Sequence, residues 1–454
     1  MGINIWEGKK ADEVAKDRTL QKISGTLQQI QSVLEVGKPG IIYGFHIDSG
    51  ESDPVAAVTY IADAIGMAPA YMDFSAGKWV WGSWEKAFFM PRPCMLKSDG
   101  TVDYYLNPLD YSKKYEDGSA SDIADATYDG NAMMEWGQNG KKIWYKIVPD
   151  AGDATSASVY IADYQADEDF QCYSFCNRLG NYVDHFYTPI YNGSLDSNGA
   201  LRSLSGVLGS SICKGKNAGQ EITAVNKNNP AGYDIWDTEV FADIILINFL
   251  LTLITKRLDS DIAVGKGLID SGSENVNNGF TTGVHNGKGL FYGTNSGAAS
   301  TYTNAVKVFG MENWWGFQWR RFRGLVNVNG TEKYKLTRRK NDGSNANDYV
   351  VSTTAADYSG YLTGGSLPTA SGTYIKKMEF DEKAYTPTDA SGDSTHYYCD
   401  GLWTNNGQVD YAYRGGSSDN GARCGAWYLF LNGTSSVAGW YFGASHSYPK
   451  PERF

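Results

Sequence analysis

The hydrophobic and polar positions of the chain change period several times, and each change predicts an element. In "TLQKISGTLQQIQSVLEVGKPG", Leu20, Ile23, Leu27, Ile30 and Leu34 recur at alternating intervals of three and four, which puts them on one stripe of a helix. Two heptads leave two readings open, a coiled-coil seam or a helix packed on its own domain, and Gly37 and Pro39 end it. From there, short apolar runs alternate with Gly, Asp and Pro, as in "GKWVWGSWEKAFFMPRPCML" and "KKIWYKIVPD", the spacing of strands and turns. The acidic turn "HIDSGESDP" is expected to cap a helix that starts after Pro54. These signals mark a helical segment at residues 1–38 and a β-rich mixed domain at 39–160. A second unit follows at 161–454, with Asn192 and Gly193 as a hairpin signal.

The clearest helix is "DTEVFADIILINFLLTLITKRLD", apolar nearly all round and therefore buried. Asp237 is placed to cap it, Glu239 suits its positive end, and Lys256 and Arg257 suit its negative end. A span rich in Gly, Asn, Ser and Thr follows, then a tryptophan-rich stretch and a polar insertion at 341–373. The terminal strands alternate. In "AWYLFLN", Trp427, Leu429 and Leu431 share one face and Ala426, Tyr428, Phe430 and Asn432 the other. In "GWYFGASHSY", Trp440, Phe442 and Ala444 oppose Tyr441, Gly443, Ser445 and Ser447, and His446 falls with the apolar set as a core histidine. One face is expected in the core and the other on display.

Composition narrows the classes. A chain of 454 residues exceeds one ordinary core, so two or three units are expected. Its 52 Gly, 31 Tyr and 13 Trp favour turns and strands, with β structure outweighing helix. A net charge of -11, with no basic block to offset it, argues against nucleic acid as a partner. The run "VFADIILINFLLTLI" is shorter than the roughly 20 residues of a membrane span and contains Asp243 and Asn248, so no membrane insertion is expected. The start of the chain lacks the apolar core of a secretory signal, so export by that route is not expected. The six cysteines show no C-x-x-C and read as buried reduced thiols, although Cys172 and Cys176 have the spacing to meet on a helix.

Candidate chemistry is sparse. Asp48, Glu51 and Asp53 lack the spacing of a calcium-binding loop and read as a solvated turn, as do the carboxylates of "ADYQADEDF". The five histidines fall in no metal-ligand pattern, and "GVHNGKG" reads as a glycine turn rather than a phosphate loop. No catalytic group, metal site or cofactor is expected. The outward strand face, fed by a loop with Ser417, Asp419, Asn420 and Arg423, carries the side chains of a binding surface. The same alternation also fits an exposed strand face that has no partner.

The stretches "GMENWWGFQWRRFRGL" and "YAYRGGSSDNGARCGAWYLFLNGTSSVAGWYFGASHSY" resemble the variable proteins of diversity-generating retroelements, especially phage tail receptor-binding proteins. The likeness extends over residues 161–454 in layout and is specific at these two motifs. It implies an α+β molecule. A C-type lectin fold of the formylglycine-generating-enzyme type would close the chain, preceded by a β-rich virion structural domain and a short N-terminal helix for attachment or trimerisation. It implies a variable region at about 405–448, in which Gly415, Gly416, Cys424, Gly425, Trp427, Leu429, Leu431, Trp440, Gly443 and Tyr448 hold the frame. The ligand-binding positions would be Asp419, Asn420, Ala422, Arg423, Ala426, Tyr428, Phe430, Gly433 and Tyr441.

The function implied is host recognition by a phage tail protein, made in the bacterial cytoplasm and carried on the virion. Its partners would be a bacterial surface receptor, protein or glycan, and other tail proteins, and it would form a homotrimer. The chain departs from the family where Gly-Gly-Ser-Trp becomes Gly-Gly-Ser-Ser and where His446 replaces an apolar residue. The sugar-binding signatures of animal C-type lectins are absent. A structural tail or baseplate role is the alternative. A formylglycine-generating oxidase is a weaker one, because that chemistry takes two cooperating cysteines and only Cys424 lies near the motif, Cys399 being far upstream.

Overall fold

The computed structural model describes residues 40–231 and 235–449. The chain divides into two compact units, Met1–Ile41 and Ile42–Phe454, and the elements described below lie in the second. The helical segment expected at 1–38 lies outside the described residues. Three larger sheets organise the second unit. One has four strands in the order Val58–Ala62, Ile42–Ile47, Asp153–Ala162, Trp144–Asp150. Another has seven, and its middle strands Phe186–Pro189, Gly130–Trp136 and Arg92–Lys97 are all antiparallel. His446–Pro449 and Asp237–Thr238 extend that sheet at one edge, so strands on both sides of residue 160 share it. Gly130–Trp136 is buried at every position, as a strand covered on both faces must be.

The third sheet has eight strands. Trp319–Val328 pairs with Val409–Arg414, which pairs with Leu429–Leu431, and Gly401–Thr404 follows in parallel. The α+β class, with a lectin-type domain set behind a separate β-rich one, is corrected by this architecture. Strand accounts for 34% of the structure and helix for 13%, with four helices among the described residues and one sheet curled into a half-barrel. The molecule is β-rich.

The helix Phe241–Thr255 is the hub. All fifteen of its residues are buried, which is what an all-round apolar sequence requires. Phe249 meets Phe45 and Tyr145 of the four-stranded sheet and Trp427 of the terminal segment, at centroid distances of 6.2, 5.9 and 6.5 Å. The helix ends at Lys256, whose left-handed φ of 53° lets its N–H return to the Thr252 carbonyl. Among the described residues no helix is long and apolar enough to cross a membrane.

Several local expectations are corrected. Asp237 does not cap this helix; it lies in a strand, bound to Arg323 at 2.8 Å, and Val240 occupies the cap position without a side-chain bond. Asn192 and Gly193 form no hairpin. The turn lies five residues later, between Ser194–Leu195 and Leu201–Arg202, and Gly193 is needed because a Cβ there would stand 2.5 Å from the Ala444 carbonyl. The chain after Pro54 makes a turn and the strand Val58–Ala62 rather than a helix, with Asp53 accepting the N–H groups of Val55 and Ala56. Cys172 and Cys176 flank the short 3-10 turn Tyr173–Phe175, and all six cysteines are free and buried.

Asp243 sits in the first turn of the hub helix and is fully buried. Burial, with Glu239 and Asp237 adding like charge, pushes its carboxyl up to about 8. The folded protein therefore holds a proton that the unfolded chain releases near pH 4, so this contribution is full below that pH and is lost as pH rises through 8. Asp243→Asn is expected to flatten the fall in stability from pH 5 to pH 7 by on the order of 2 kcal/mol. Urea unfolding of both proteins at the two pH values checks it.

Candidate functional site

The terminal segment is built on a buried charge clamp. Arg414, the last residue of the strand Val409–Arg414, places its guanidinium on the Glu239 carboxylate at 2.7 and 2.8 Å from Nη2 and 3.1 Å from Nε. Arg320 donates to the same carboxylate at 3.1 Å, and all three side chains are buried. The third nitrogen of Arg414 donates to the Trp314 carbonyl at 2.7 Å, and the guanidinium stacks 3.3 Å over the Trp314 ring. Burial raises the Glu239 carboxyl, but Arg414 and Arg320 outweigh it and hold it below the usual carboxylate range.

Directly after Arg414 the chain turns on two glycines. Gly415 and Gly416 have φ of +83° and +80°, and a Cβ would stand 2.7 Å from the Trp314 carbonyl at the first and 2.4 Å from the Cys424 sulfur at the second. No side chain fits there. Ser418 anchors the outgoing strand of the loop: its N–H donates to the Phe317 carbonyl at 3.2 Å and its hydroxyl to Asn277 at 2.7 Å. Ser417, expected on display, is buried. Asn420 closes the turn by accepting the Ser417 N–H at 2.8 Å, and Asp419 accepts the Ser417 hydroxyl at 2.5 Å.

The nine expected contact residues divide. Asp419 and Ala422 are exposed, and Asn420 and Arg423 are half-buried, with the Arg423 guanidinium bound to the Gly372 carbonyl and lying 5.7 Å from the Tyr374 ring. These four form the tip of one loop. Of the other five, Ala426, Tyr428 and Gly433 are buried and are corrected, while Phe430 and Tyr441 are half-buried as Asn420 and Arg423 are. Ala426 is buried, its N–H donating to the Ser260 hydroxyl at 2.8 Å and its carbonyl accepting the Asn248 side-chain N–H at 2.9 Å. Tyr428 is wholly buried: its ring packs 4.4 Å from Trp319 and its hydroxyl accepts the Trp403 indole N–H at 2.7 Å. Phe430 is half-buried among Trp319, Tyr413 and Phe442, and Gly433 is buried. Tyr441 is half-buried against Phe442 at 4.5 Å.

The physical reason is that Leu429–Leu431 is an interior strand covered on both faces. Trp427 packs on Tyr385 and Tyr398 on the side of the hub helix, while Tyr428 and Phe430 pack on Trp319 and Trp403 on the other. Alternation separates two faces but does not say that either meets water. Ser436 and Ala438, exposed between the last strands, were missed, because a short loop of small residues carries no periodic signal.

His446 is fully buried against Trp236, and neither ring nitrogen has a hydrogen-bond partner; burial, then Arg202 and Arg320, push it down to about 3. It is a neutral core histidine. Cys424 is fully buried, its thiol donating to the Ser417 carbonyl at 3.4 Å, and burial pushes it well above the usual thiol range. Among the described residues no group of three or more His, Cys, Asp or Glu is arranged to hold a metal ion. No protein-family model matches this chain, and no curated protein sequence matches it.

Proposed function

We propose that this chain is a recognition protein of a phage virion, which binds a bacterial surface receptor through the loop tip at residues 419–423 and performs no chemistry there. The observation that supports it most is the contrast within one loop. Asp419 and Ala422 face solvent, whereas Ser417, Ser418, Cys424 and Gly425 on either side are buried, Ser418 against Asn277 and Cys424 against Ser417. Side chains at the tip can be exchanged without touching the core, which is the physical demand of a surface that must vary. The likeness to retroelement variable proteins, placed by the motifs at 310–325 and 411–448, points the same way. Cys424 does not support the oxidase alternative, because a buried thiol held in its protonated form is not a ready metal-binding thiolate. Several copies on one particle, a trimer in this reading, raise weak contacts into avid attachment through effective concentration.

Exchanging the tip, Asp419→Lys together with Ala422→Glu, is expected to abolish attachment to an isolate that the purified protein labels. Unfolding stability should stay within about 0.5 kcal/mol of the parent. Flow cytometry of labelled cells and denaturant titration check the two arms. Undiminished labelling by the folded variant rules this loop out as the receptor contact.

A further inference from the structure

Away from the terminal loop, three segments distant in sequence meet around an open cleft of about 600 Å³, within the size range of small-ligand sites. They are the hairpin Tyr71–Asp73 with Lys78–Val80, the turn at 108–109, and the loop at 287–292. The floor is aromatic. Trp79 and Phe291 stack at 4.4 Å with 12° between their planes, and Trp81 stands at right angles to both, at 86° and 85°. Trp79 and Phe291 are buried and Trp81 is half-buried, so the stacked pair is a fixed base and the Trp81 ring an accessible wall.

The rim carries charge that the protein leaves uncommitted. Lys78 and Glu85 line the cleft, are exposed, and among the described residues make no ion pair or hydrogen bond through their charged groups. Lys288, also exposed, lies over the face of Tyr292, 4.6 Å from its ammonium, and near the neutral His285. Two cations and one anion give the rim a net positive charge on a chain whose total is -11.

We propose that this cleft binds an acidic saccharide. A sugar ring has an apolar face of C–H groups and a polar perimeter of hydroxyls, and the cleft offers their complements. The Trp81 wall takes the apolar face, Glu85 accepts hydroxyl protons, and Lys78 and Lys288 take the acidic substituent. A lipid chain would leave three charges at the rim unanswered, and an aromatic ring would use the wall but none of the charges. The pre-stacked Trp79 and Phe291 need no reordering when ligand arrives, which favours binding by an otherwise open site.

The test uses the full chain and a defined panel: oligogalacturonate, hyaluronan fragments and oligosialic acid, with maltooligosaccharides as neutral counterparts. Saturation-transfer NMR and tryptophan quenching report binding. At least one acidic oligosaccharide is expected to bind, and both Trp81→Ala and the pair Lys78→Glu with Lys288→Glu are expected to weaken it about tenfold or more. The lysine pair is exposed and is expected to keep the melting temperature of the parent closely, so it carries the test even where Trp81→Ala does not fold. No binding by any acidic member overturns the proposal. So does equal binding of the neutral sugars, or binding that survives both variants. The cleft and the terminal loop are tested separately: exchanging Asp419 and Ala422 leaves saccharide binding intact, whatever it does to cell attachment.

Discussion

Glu239→Gln is expected to lower the unfolding free energy by about 3–5 kcal/mol at pH 7, the largest loss of any conservative replacement in the terminal segment. The substitution keeps the volume and removes the charge, so the effect isolates electrostatics. Two buried guanidiniums, Arg320 and Arg414, share that carboxylate, and each would be left desolvated with only carbonyl or ring partners. Because the Glu239 carboxyl titrates below its ordinary range, its contribution is present above about pH 4.5 and is lost as the pH falls through the lower folded value. The gap between parent and variant should therefore narrow in acid. Guanidinium chloride would blur this through ionic screening, so urea titrations at pH 7 and pH 3.5 are the measurement. A loss below about 1 kcal/mol at pH 7 would mean that the clamp does not hold the base of the loop.

The functional consequence lies one residue further on. Arg414 leads into Gly415 and Gly416, so the clamp fixes where the exposed tip departs from the sheet. A loop whose two ends are pinned in this way displays different side chains in one geometry, and contact residues on it lose less freedom on binding.

Parts of this arrangement were legible in the sequence for physical reasons. The run from Phe241 to Thr255 could only be a buried helix, since no polar face was available to meet water. Gly415 and Gly416, which the resemblance counts among the frame positions, both have positive φ and stand against Trp314 and Cys424. What was not legible depends on partners remote in sequence. Asp237 had the chemistry of a helix cap, but Arg323 claims it in a sheet. Asn192 and Gly193 had the chemistry of a hairpin, but the glycine answers the Ala444 carbonyl. The aromatic cleft joins residues near 79 to residues near 291, a pairing that no local pattern carries. Asp419 and Ala422 are exposed, whereas Ala426 and Tyr428, expected on the outward face, are buried, because periodicity fixes opposition and not exposure.

Tyr428 decides between a displayed strand and a displayed loop, and Tyr428→Ala is expected to destabilise the protein by about 3–5 kcal/mol, the range for emptying a buried aromatic site. Two losses combine. The ring leaves a cavity beside Trp319, whose centroid is 4.4 Å away, and the Trp403 indole N–H loses the hydroxyl it donates to at 2.7 Å. Tyr428→Phe separates them: it keeps the packing and should lose only the hydrogen bond, about 1–2 kcal/mol. A contact residue facing a receptor behaves in the opposite way, since truncating it leaves the fold within about 0.5 kcal/mol and removes binding alone. Denaturant unfolding of the two Tyr428 variants beside the Asp419 and Ala422 exchange therefore separates the strand position from the two tip positions by their effect. If Tyr428→Ala kept the parent's stability and lost attachment, the strand would be the binding face after all. The packing of its ring between Trp319 and the Trp403 donor predicts a loss of stability at Tyr428; the proposed function places the loss of recognition at the loop.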